Sequence, residues 1–91
     1  MPKFLIERQI PGAGSFTAEQ LKAIVKKSSD VLCKLGPNIQ WIQSYVAGDK
    51  IYCVYLAPSE EWIIKHAEMG GFPANMITRV SAIIEPAMAA E

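Results

Sequence analysis

Histidine occurs once in these 91 residues, at His66, so no single copy of the chain can assemble a histidine-rich metal site. Cysteine occurs twice, at Cys33 and Cys53, with no CxxC pair, which suits reduced, buried thiols in a cytoplasmic protein better than a disulfide. Excess charge of either sign is missing: 9 Lys and Arg balance 9 Asp and Glu, so nothing draws the chain to nucleic acid or to an anionic membrane. Apolar runs are short, never near transmembrane length, and the Glu7-Arg8 pair interrupts the opening stretch before it could serve as a signal peptide. What is abundant is apolar character, at 51% hydrophobic against 20% charged residues. A chain this small leaves part of that surface outside one core, so the composition predicts a homodimer.

Taken in order, Lys3 to Arg8 alternates, Phe4 and Ile6 against Lys3, Leu5 and Glu7, which is the period of a half-buried strand. Pro11-Gly12-Ala13-Gly14-Ser15 breaks it, and Thr17 with Gln20 opens a helix in the Thr-x-x-Gln form of the capping box. Leu21, Ile24, Val25, Ser28, Val31, Leu32 and Leu35 recur on one face of that helix, while Lys26, Asp30 and Lys34 are spaced for pairing on the solvent side. Gly36-Pro37 ends it. Two stretches, Ile39 to Val46 and Lys50 to Ala57, are rich in aromatic and β-branched residues and read as a hairpin around Ala47-Gly48-Asp49.

A second helix begins after Ser59 and runs to Gly70-Gly71, with Ser59, Ile63, His66, Ala67 and Gly70 on its inner arc. A last strand is expected over Ile77 to Glu85, with Val80, Ala82 and Ile84 toward the core and Arg79, Ser81 and Glu85 away from it. The order is β-α-β-β-α-β, a ferredoxin-like α+β fold: a four-stranded antiparallel sheet with two helices on one face. Residues 1–86 form the one domain and 87–91 a loose tail.

The sheet face without helices should carry aromatic rings, since Trp41 and Tyr45 alternate onto one side of their strand and Tyr52 follows in the next. Glu7 lies on that face, near Arg79 or Ser81 if the first and last strands are neighbours. Cross-strand ion pairing explains this grouping as well as a ligand pocket of Glu7, Trp41, Tyr45, Tyr52 and Arg79 does. His66 points inward, as a core histidine or as a functional one. A divalent transition metal would draw on His66 and Glu7, the thiol of Cys53 being equally well explained by burial. Gly12-Ala13-Gly14 has the place of a phosphate cradle, but Thr17 stands where the dinucleotide fingerprint needs a third glycine. Pro2, if Met1 were removed, would offer the secondary amine that tautomerases use.

Certain segments are family-like as well as chemically suggestive. Pro2-Lys3-Phe4-Leu5-Ile6-Glu7-Arg8, Pro11-Gly12-Ala13-Gly14, Gly36-Pro37-Asn38-Ile39-Gln40-Trp41, Ser44-Tyr45-Val46, Lys50-Ile51-Tyr52-Cys53-Val54-Tyr55 and His66-Ala67 with Gly70-Gly71-Phe72-Pro73-Ala74-Asn75 resemble the family of domain of unknown function 4242 (DUF4242). Its better-described relatives are called nickel-responsive or nickel-binding proteins. The resemblance implies a ferredoxin-like dimer and makes nickel or another divalent ion the expected ligand. Nickel-binding members are richer in histidine near the first strand and in the helix-to-turn segment, where this chain has Glu7-Arg8 and Phe72. His66 carries over from that pattern, with Glu7 as the second ligand. The functional expectation is a cytoplasmic homodimer binding a metal or small ligand, with no nucleic-acid or membrane partner. The alternative is a small cofactor-independent enzyme, an isomerase, tautomerase or dimeric α+β-barrel oxygenase, using Glu7 or His66 as base.

Overall fold

The alternation of Phe4, Ile6 and Arg8 toward one side decides where everything else packs. The computed structural model describes residues 1–90, and in it these three side chains are buried while Lys3, Leu5 and Glu7 between them are only partly covered. Strand β1 (Lys3–Gln9) is central: it pairs antiparallel with β3 (Lys50–Leu56) on one side and β4 (Met76–Arg79) on the other, and β2 (Gln40–Ala47) extends the sheet beyond β3. The order β2-β3-β1-β4, with helices α1 (Ala18–Leu35) and α2 (Glu60–Gly70) on one face, is the expected ferredoxin-like arrangement. None of the helices is long and apolar enough to cross a membrane among the described residues.

Local chemistry sets the helix ends. Thr17 Oγ1 accepts from the Gln20 amide at 3.2 Å and the Gln20 side chain accepts from the Thr17 amide at 2.8 Å, so two free amides at the start of α1 are satisfied reciprocally. Ser59 occupies the N-cap of α2 without a side-chain bond, leaving Glu60 and Glu61 in the first turn to complement the helix dipole. Along α2 the buried residues are Ile63, His66, Ala67 and Gly70, the arc that helical spacing predicts. The Gly12-Ala13-Gly14 amides are spent inside the chain: Gly12 donates to Asp49 Oδ1 at 2.9 Å and Gly14 to the Gly48 carbonyl at 2.7 Å, tying this turn to the hairpin.

Two expectations about strands are corrected. The first concerns β2, where Trp41 pairs with Tyr55 and Gln43 with Val54, so Ile42 is the extra residue of a bulge. One extra residue reverses the side on which everything before it points. Trp41 therefore shares the helix-covered face with Tyr55, while Tyr45, opposite Tyr52, stays on the open face. The second concerns β4, which ends at Arg79 instead of reaching Glu85. Its partner runs out: Val80 donates to the Lys3 carbonyl at 2.8 Å, and β1 begins there. Pairing of Ile77 with Ile6 and Arg79 with Phe4 also puts Ile77 and Arg79 on the helix side, opposite to expectation, and leaves Ile84 87% exposed. The segment Pro86–Ala90 forms a 3-10 helix, and Glu91 of the expected tail lies outside the described residues.

The end of α2 is shaped by an absence of side chains. Gly71 adopts φ 69° as the left-handed cap, and Phe72 donates to the Ala67 carbonyl at 3.0 Å, which folds its ring back over the helix. A methyl group at Gly70 would overlap that ring. Glycine to alanine within a helix ordinarily stabilises by about 1 kcal/mol. Here Gly70→Ala should instead lower stability by about 1–3 kcal/mol through overpacking, read as a fall in Tm of several degrees by calorimetry. A rise in Tm would show that the Phe72 ring is not seated on the helix end.

Candidate functional site

Position 8 continues the inward parity of β1 but carries a guanidinium. Arg8 is 3% exposed, and its three nitrogens meet unequal surroundings. Nη1 donates to the Pro73 carbonyl at 2.8 Å, Nε to the weakly accepting Cys53 Sγ at 3.4 Å, and Nη2 has no partner. The Phe72 ring lies against it, with the guanidinium carbon 5.5 Å from the ring centroid, a favourable use of the ring's negative face. No carboxylate faces it: among the described residues the one ion pair joins Lys50 to Glu7 at 3.5 Å, on the open side of the sheet.

His66 stands beside this cation, 1% exposed, between the rings of Tyr55 (centroids 5.1 Å apart) and Phe72 (5.6 Å). Its Nε2 is 3.1 Å from Ser28 Oγ on α1, and its Nδ1 is buried without a partner. Burial, then the positive charge of Arg8, push its pKa down to about 4, against the opposing pull of the Ser28 backbone, so the imidazole is neutral at physiological pH. Burial also raises the Tyr55 hydroxyl, helped by Cys53, and the Ser28 and Arg8 groups that favour the phenolate do not offset it. The site at neutral pH therefore consists of one fixed cation among neutral hydrogen-bonding groups.

Arg8, Ser28, Tyr55 and Phe72, with His66 behind them, edge a cavity of about 230 Å³ between α1 and the sheet. Leu21, Ile24 and Val25 form its helix side, and Trp41, Val46 and Ile51 its sheet side; Arg8, Ser28, Ser44, Cys53 and Tyr55 contribute polar atoms. It exists because only Ser28 and Val31 of α1 are fully buried: Leu21 and Ile24 are half-buried and Val25 is 44% exposed, so the first half of the helix does not fill the space above β2 and β3.

The residues singled out in the sequence divide between the two faces. Trp41 and His66 lie on the covered side, Trp41 stacking at 6.5 Å on Tyr55 and donating to Ser44 Oγ at 2.9 Å. Glu7, Tyr45 and Tyr52 lie together on the open side, Glu7 directly opposite Tyr52 and Tyr52 opposite Tyr45. Arg79 pairs with Phe4, at the edge and away from Glu7, whose β4 partner is Met76. Glu7 and His66 are thus separated by the sheet and not brought together within one protomer. Pro2 precedes β1, six residues or about 20 Å of extended strand from Arg8. Arg8, Ser28 and Tyr55 were not singled out as a site, although parity with Phe4 and Ile6 already turned Arg8 inward.

A family model described as nickel responsive protein SCO4226-like matches residues 4–80. The chain belongs to the SCO4226-like family. The crystal structure of SCO4226 from Streptomyces coelicolor A3(2) is similar at 25% identity and a TM-score of 0.73, covering 90% of this chain and 99% of that one. No curated protein matches. Whether this SCO4226-like chain has donors for nickel is a question of residues. The ion takes several N, O or S ligands, and among the described residues no group of three or more His, Cys, Asp and Glu gathers anywhere. At His66 one imidazole nitrogen is free, the nearest thiol already accepts from Arg8, and the Arg8 cation would repel a second positive charge. The donors that the described residues of one protomer offer do not fit the metal.

The imidazole itself is open to direct measurement because it is the only one. Its C–H proton resonance should titrate with a midpoint near pH 4 instead of the usual 6.5. Because the unfolded chain then binds a proton that the folded chain refuses, this group's stabilisation is complete above pH 6.5 and is lost as pH falls toward 4. The loss is on the order of 3 kcal/mol and should be absent from urea denaturation of His66→Gln. A midpoint above pH 6 would contradict the buried, cation-flanked position.

Proposed function

We propose that the protein is a small-ligand-binding module acting as a homodimer, with the cavity between α1 and the sheet as its site. One observation carries this reading: the wall of a mostly apolar cavity includes a buried guanidinium, Arg8, whose hydrogen bonding is incomplete. Buried polar groups are nearly always fully paired in folded proteins, and an apolar cavity with a few polar groups in its wall is the usual form of a small-molecule site. By proportion to a 150 Å³ cavity that holds benzene, a volume of about 230 Å³ accommodates about nine non-hydrogen atoms. Nickel responsiveness is carried by the family description, and a nickel site at His66 in this chain requires donors from outside the protomer. The isomerase, tautomerase and oxygenase alternatives find less support, because His66 is 1% exposed and does not line the cavity while Glu7 stands on the other face.

Dimerisation is supported by the open sheet face, where Leu5, Tyr52 and Val54 are half-covered and Tyr45 and Met76 are more than half exposed, with Glu7 and Lys50 neutralising each other. A second copy of the chain covers the apolar part of such a face while the Glu7–Lys50 pair stays internally matched and Lys3 lies at the end of the strand. Sedimentation equilibrium should give twice the chain mass for the wild type and the chain mass for the double variant Tyr45→Asp, Met76→Asp. A monomeric wild type at micromolar concentration removes the dimer from the proposal.

The cavity is tested by two-dimensional amide NMR with a panel of aromatic and aliphatic compounds of about nine non-hydrogen atoms, neutral and charged. Binding compounds should shift Ile24, Ser28 and the Trp41 indole, and Ile24→Phe, which fills the space, should abolish those shifts. Should nothing in the panel perturb these resonances while nickel perturbs His66 in the same protein, the cavity reading fails and the metal reading replaces it.

A further inference from the structure

We infer that the ligand is a small organic monocarboxylate, its carboxylate against Arg8 and its apolar body along Leu21, Ile24 and Trp41. The inference rests on the cavity reading and adds the chemical class. Its starting point is the cost of Arg8. A guanidinium cannot shed its proton in a protein, so burial leaves its charge in place. Removing a charge from water carries a penalty of several kcal/mol unless an opposite charge and full hydrogen bonding compensate. Here compensation is partial: a carbonyl, a thiol and the face of Phe72 are neutral, and Nη2 makes no bond. Among the described residues no carboxylate pairs with Arg8, and the nearest in sequence, Glu7, is turned to the other side of the sheet and paired with Lys50.

Charge balance then narrows the ligand. One buried cation is matched by one negative charge, which a carboxylate supplies and a phosphate dianion exceeds. Lys27 is the other cation beside the Phe72 ring, at 5.7 Å from its centroid, but it is on the exposed side of α1, where it adds attraction without entering the cavity. The other polar groups in the cavity wall are the hydroxyls of Ser28, Ser44 and Tyr55 and the thiol of Cys53, which can donate to a carboxylate. The rest of the lining is aliphatic or aromatic, so the body of the molecule is apolar. A free hydrophilic acid would leave that surface unfilled.

Phenylacetate and its neutral isostere phenylacetamide are suitable probes, having about the right number of atoms for the volume. By calorimetry the wild-type protein should bind phenylacetate at least about tenfold tighter than the amide. Acetate should bind far more weakly than phenylacetate, because the apolar body contributes. Arg8→Met should erase the preference for acid over amide, and Arg8→Lys should restore part of it. Because wild type alone supplies the acid and amide comparison, the result does not depend on either variant folding. Equal binding of acid and amide would overturn the carboxylate while leaving the cavity as a site for neutral ligands. Acetate as tight as phenylacetate would overturn the apolar body. Failure of both phenylacetate and phenylacetamide to bind would overturn the inference, and the fragment panel then decides separately whether the cavity reading falls with it.

Discussion

Burial of the Arg8 guanidinium is the constraint to which the rest of the covered sheet face is fitted. It takes the third inward position of β1, after Phe4 and Ile6, where a third apolar side chain would have closed the core. Its needs organise the segment from Gly70 to Asn75. Gly71 turns the chain, Phe72 lays its ring against both His66 and the cation, and Pro73 presents its carbonyl to Nη1. Asn75 then stitches the segment to β1, its amide donating to the Glu7 carbonyl and its side chain accepting from the Gln9 amide. The Gly-Gly-Phe-Pro-Ala-Asn stretch thus acts as a clamp that brings neutral, polarisable groups to a charge the core could not otherwise hold.

That clamp also accounts for the electrostatic character of the site. The imidazole of His66 is held neutral by burial and by the neighbouring cation, and Tyr55 is held as a phenol. Two titratable groups are thus kept neutral, and among the described residues Arg8 is the one buried charge. A metal ion would add positive charge where positive charge is already in excess, whereas an anion would remove it. Membership of a family described as nickel responsive and an interior that prefers an anion are compatible, because a family shares a fold more faithfully than it shares the residues of a site.

Much of the architecture is legible one residue at a time. The alternation of β1, the Thr17 and Gln20 capping box, the stop at Gly36-Pro37 and the inner arc of α2 are short-range patterns, and each appears where its spacing places it. The candidate site is much less legible. Trp41 and Tyr45 differ by an even number of residues and by simple alternation share a face, yet the extra residue at Ile42 separates them. Arg79 depends on which β1 residue it meets, and that register is a property of two strands, written in neither one.

By itself the sequence determined the order of elements, the inward parity of Phe4 and Ile6, and the burial of His66, because helical and strand periods act between near neighbours. Only the tertiary structure decided that Glu7 and His66 are separated by the sheet, that Trp41 stacks on Tyr55 and Tyr55 on His66, and that Arg8 lines a cavity. Those outcomes depend on register, on a bulge and on how closely α1 approaches the sheet, which are settled when distant segments pack against one another.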